Sequence, residues 1–140
     1  MDWEARHDSD AFQFTRPFAL TAVSNRLVFW NHEQLGMKLV PGIDEASLAL
    51  VTDAWSRTCR SRAVTFVGAA NALETGNGVR IVPDQISASW PVERLLPSIG
   101  DRRPAEVLNQ SPRGIAARYG MRTAYFVAMQ LEYPRHWALQ

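Results

Sequence analysis

The chain has 140 residues, 46% hydrophobic and 21% charged, with a formal net charge of +1. That length can bury a core without disulfide or metal support, and the balance excludes a disordered chain, a collagen-like repeat and a coiled coil. No apolar run approaches the ~18–20 residues that cross a bilayer.

Residues 1–140 read as one domain, with the charge-rich stretch 1–11 as a loosely ordered arm. The opening MDWEARHDSD is acidic and polar, unlike a secretory signal or an Arg-rich transit peptide. Cys59 is the single cysteine, so no intrachain disulfide forms and a cysteine zinc site is excluded. Both features favour a cytoplasmic setting. Charge is unevenly spread: residues 1–56 carry eight acidic and four basic residues, residues 57–140 six acidic and eleven basic. The arginines are dispersed instead of gathered on one element, which argues against nucleic-acid binding.

In chain order, Phe12, Phe14 and Phe18 alternate with polar residues. Phe18–Val23 and Arg26–Trp30 have the aromatic and β-branched content of strands, with Ser24-Asn25 as a turn between them. A short extended stretch over 36–41 ends at Pro41-Gly42. Residues 44–59 form the principal predicted helix. Asp44 and Glu45 sit at its positive end, and Leu48, Val51, Ala54 and Trp55 make one apolar stripe. Residues 63–69 are a strand candidate, and Thr75-Gly76-Asn77-Gly78 is a hairpin turn. Together they predict an antiparallel hairpin across 64–82, with Pro83 marking an edge or break.

Pro91, Pro97 and Pro104 punctuate a loop. Ser111 as N-cap and Pro112 at the first helical position predict a second helix over 112–119. After Gly120, period-two spacing places Met121, Thr123, Tyr125, Val127, Met129, Leu131 and Tyr133 on one face of a strand. The competing helix is favoured by Ala, Met, Leu, Gln and Glu propensity. The strand reading gives an α+β fold with a mainly antiparallel sheet. The helix reading gives a three-layer α/β sandwich.

The strong catalytic signatures are missing. His7, His32 and His136 form no i, i+4 pair, and no phosphate-binding glycine loop or Gly-x-Ser-x-Gly elbow occurs. Three weaker constellations remain. Trp30, His32 and Glu33 place an imidazole beside a carboxylate, a pairing suited to acid–base work. Asp44 and Glu45 offer two carboxylates at a helix start, where acids are also ordinary dipole partners. Glu132, Tyr133, Arg135, His136 and Trp137 bring titratable, cationic and stacking groups together near the C-terminus. Cys59 lies among Arg57, Arg60 and Arg62, which can activate a thiol.

Aromatic richness without catalytic motifs predicts a non-catalytic protein holding a small apolar or aromatic ligand in a pocket, acting as a homodimer. Trp30, Trp55, Tyr125 and Tyr133 are its candidate contacts. The alternatives are a small isomerase, lyase or hydrolase using a carboxylate–histidine pair (His32 with Glu33, His136 with Glu132), or a protein-interaction module. None of these readings calls for a cofactor, a metal or a membrane.

Overall fold

The computed structural model describes residues 15–27, 32–69 and 71–133. In chain order they form α1 (Arg16–Leu27), β1 (Glu33–Lys38), α2 (Glu45–Ser56), β2 (Ser61–Val67), β3 (Leu73–Glu74), β4 (Arg80–Ile81), β5 (Gln85–Ile86), a 3-10 turn (Val92–Arg94), α3 (Pro104–Tyr119) and α4 (Met121–Gln130).

The expected mainly antiparallel sheet is overturned. β1, β2 and β5 form a three-stranded sheet in the order β1-β2-β5, and both pairings are parallel. Among the described residues only the two-residue strands β3 and β4 run antiparallel. The β1–α2–β2 segment is a crossover unit: two parallel strands cannot be joined by a tight turn, so α2 carries the chain back. The Asn77-Gly78 turn does form, with Gly78 at φ 80° and its N–H bonded to the Thr75 carbonyl. It closes β3 against β4, and β2 takes β1 as its partner instead.

Residues expected as strands also turn out helical. Phe18–Val23 lies within α1, and residues 121–130 are α4, so the period-two face dissolves. Thr123, Ala124, Phe126, Val127 and Ala128 are the buried residues of α4. That spacing is a helical stripe. The three-layer sandwich does not follow either, because among the described residues all four helices pack in one connected layer. α2 packs on β2 and on α3, α3 on α4, and α4 on α1.

The helix expected over 44–59 spans 45–56, capped by Asp44, whose carboxylate accepts from the Ser47 N–H at 2.6 Å. The helix expected over 112–119 begins eight residues earlier. Pro104 takes the first turn, and Pro112 is buried in the interior of α3. The arm at 1–11, the alternation at Phe12 and Phe14, and the end of the Arg26–Trp30 strand lie outside the described residues.

Register assigns the two faces of the sheet. Leu35, Met37 and Val67 face the helices and join a core with Leu48, Val51, Trp55, Ile115, Phe126 and Val127. Burying each such side chain contributes about 1.5–3 kcal/mol. Gly36, Val64 and Phe66 share the opposite face, where the Trp90 ring stacks on Phe66 with centroids 5.2 Å apart. The outer edge of β1 is closed by Leu96, whose N–H donates to the Gly36 carbonyl at 2.9 Å.

Candidate functional site

A charged constellation that joins distant parts of the chain sits at the amino ends of β1 and β2. Glu33 opens β1 and Ser61 opens β2; they are register partners on the helix-facing side of the sheet. The last turn of α3 brings Arg118 and Tyr119 to the same point. Arg118 grips Glu33 through both carboxylate oxygens: Nε donates to Oε1 and Nη2 to Oε2, each at 2.6 Å. Its Nη1 donates to the Glu93 carbonyl at 2.9 Å. The Tyr119 hydroxyl donates to Glu33 Oε1 at 2.5 Å. Such bidentate, charge-assisted pairs are the stronger class of hydrogen bond.

Tyr119 is wrapped by cations and aromatics. The Arg60 guanidinium lies 5.2 Å from its ring centroid, and that of Arg118 lies 5.9 Å away. Trp55 meets the ring edge-on, with centroids 6.2 Å apart. Both geometries exploit the negative face of the ring.

The electrostatics make this a poor proton relay. The hydrogen bond from Arg118 outweighs desolvation and holds the Glu33 carboxyl below its usual range, with Tyr119 and the field of Arg94 adding to the lowering. Burial, reinforced by the bond to Glu33, pushes the Tyr119 hydroxyl up. The pair to Glu33 raises Arg118 further above its ordinary value. A general acid or base works best with a pKa near the operating pH, and this network drives its members away from neutrality.

The sequence candidates scatter. Glu33 is in the cluster, but its neighbour His32 is exposed, and its Nε2 lies 3.4 Å from the Asn25 carbonyl. The two side chains have different partners, so no His32–Glu33 dyad forms. Trp55 is a buried core residue at 4% exposure. Tyr125 is exposed on α4, and Tyr133 packs partly buried against the core, its hydroxyl pushed up by desolvation. Glu132 sits just past α4 at φ 50°. Trp30, Arg135, His136 and Trp137 lie outside the described residues.

Asp44 and Glu45 have local duties. Asp44 caps α2, and Glu45 Oε1 accepts from the Asn77 amide at 2.7 Å, clamping the hairpin turn to the helix. Around the half-buried Cys59, Arg57 is paired with Asp53 at 2.7 Å and Arg60 is stacked on Tyr119. Nothing in the sequence points to Arg118 or Tyr119, and Arg60 stands out only as a neighbour of Cys59. Glu33 and Arg118 are 85 positions apart, and nothing local in the sequence connects them.

A cleft lined by Val51, Trp55, Pro97, Ser98, Val107, Gln110 and Ser111 encloses about 20 Å³. That is room for roughly one water, against roughly 300 Å³ and more for small-molecule sites. Among the described residues no group of three or more His, Cys, Asp or Glu is placed to hold a metal, and no helix is long and apolar enough to cross a membrane. No protein-family model, curated protein or solved structure matches the chain.

One further surface stands out. On α1, Phe18 and Ala22 pack against the core and Asn25 is buried. At 100° per residue, Leu20, Val23 and Leu27 project about 180° away from that face. They are 69%, 54% and 62% exposed. α1 therefore carries two apolar stripes, and only one has a partner among the described residues.

Proposed function

We propose that the protein is a non-catalytic interaction module, and that the outward stripe of α1 docks an apolar surface of a partner protein. The observation that carries the reading is the exposed row Leu20, Val23 and Leu27 opposite the packed face of the same helix. A surface helix ordinarily turns one apolar stripe to the core and a polar face to water. Clustered exposed apolar side chains on one helix face are the usual material of helix-in-groove contacts. Arg16 and Arg26 are exposed at the two ends of the helix, and α1 contains no acidic residue. The matching partner is an amphipathic helix with acidic flanks. A second copy of α1 fits poorly, since it brings only further arginines.

The experiment places a photo-cross-linking residue at position 23, with a control at the exposed Ala105 of α3, in cells that make the protein. A discrete adduct at 23, absent at 105 and lost on Leu20→Ser with Leu27→Ser, is expected. That double variant should melt as the wild type does, because both side chains are solvent-facing. Identical adduct patterns at the two positions, or an adduct consisting only of a second copy, would overturn the reading.

A further inference from the structure

We infer that the amino-end cluster is an oxyanion site, in which the stacked guanidinium of Arg60 receives a carboxylate or phosphate group in the field of Arg94. The guanidinium groups of Arg60 and Arg118 both lie over the Tyr119 ring and the field of Arg94 reaches Glu33, while the Glu33 carboxylate is spent on Arg118 and Tyr119. Neither Arg60 nor Arg94 has an ion pair among the described residues. The local balance is therefore positive.

Arg60 is also held in place. Its guanidinium lies over the Tyr119 ring, and that ring is fixed in turn by Glu33 and by the edge-on Trp55. Its backbone is pinned as well: the N–H donates to Thr58 Oγ1 at 3.1 Å, and the carbonyl accepts from the Glu33 N–H at 3.1 Å. Yet Arg60 Nε is buried without a hydrogen-bond partner. A buried donor left unmade is costly, and the arginine fork matches a planar or tetrahedral oxyanion bidentately. An oxyanion meeting the two Nη groups of this fixed fork offsets the excess charge. Arg94 is exposed on the 3-10 turn, and its field already reaches Glu33.

The test follows the side-chain Nε–H resonances of the arginines by NMR while inorganic phosphate, and separately acetate, is added at constant ionic strength. A saturable shift of the Arg60 signal with either anion is expected, and the two arms tell phosphate from carboxylate. Arg60→Gln should weaken binding at least tenfold. Arg94→Gln, on an exposed side chain that leaves the fold intact, should weaken it several-fold at low salt and less at high salt. The inference is overturned if the Arg60 signal follows neither anion, if chloride shifts it equally, or if Arg94→Gln leaves the affinity unchanged at low salt.

Discussion

Gly36 lies directly beneath Trp90: a Cβ built on Gly36 would stand 2.6 Å from the indole ring. Because the ring also stacks on Phe66, it has no room to retreat without losing that contact. Gly36→Ala should destabilise the protein by about 1–3 kcal/mol, the usual cost of overpacking. Denaturant unfolding with a Trp90→Leu partner variant checks the cause. The alanine should cost far less once the indole is gone.

Gly114 supplies a case where helix propensity and packing oppose each other. It sits inside α3, and a Cβ there would come within 2.9 Å of Trp55 Cζ2. An exposed helical Gly→Ala change gains about 1 kcal/mol. Here the rigid indole stands in the way, so Gly114→Ala should lower the melting temperature. A rise in melting temperature would show that α2 and α3 can separate slightly without loss.

The carboxylate of Glu33 should make stability fall in acid. Its folded pKa is depressed, chiefly by Arg118, below the ordinary 4.5. The contribution is complete above the unfolded value and fades as pH drops through the folded one. Glu33→Gln should lower the melting temperature at neutral pH and flatten its decline below about pH 4.5. Melting curves across that range provide the check. Parallel curves for the two proteins would assign the acid limb to other carboxylates.

Asn25 ties α1 to the rest of the fold. It is 4% exposed, and its amide donates to the Thr58 carbonyl at 3.0 Å and to Thr123 Oγ1 at 3.4 Å. Asn25→Ala leaves the buried Thr58 carbonyl without this donor, at a cost of about 1–3 kcal/mol. The loss should concentrate in one element. Hydrogen exchange should accelerate in α1 while β1 and β2 keep their protection.

Local signals in the sequence located α2 well, because its cap, its acidic first turn and its apolar stripe agree. They also marked the Asn77-Gly78 turn. What that turn joins is set by distant pairing, and β2 found β1 through a crossover that no local residue announces. Period-two alternation misled in α4, where Thr123 and Val127 fall on one face of a helix as readily as on one face of a strand. Pro112 misled in the other direction. Proline suits a first helical turn, but in α3 it is buried in the interior, and Pro104 takes the starting position. The Glu33 cluster is half legible in the sequence: the carboxylate stands out, but beside His32, which is not its partner. His32 precedes β1 and its ring turns to the Asn25 carbonyl of α1, while Glu33 opens the strand on the face that meets α3.

Gly120 joins α3 to α4 alone, at φ 86° and ψ 160°. With one residue between them, the two helices meet at a single corner. Tyr119, just before the corner, bonds Glu33, and its carbonyl accepts from Thr123 Oγ1 at 3.3 Å just after it. Thr123 in turn accepts from Asn25 of α1. The arginine-rich end of the sheet is thus joined, through Tyr119, Thr123 and Asn25 in series, to the helix that offers its leucines to water.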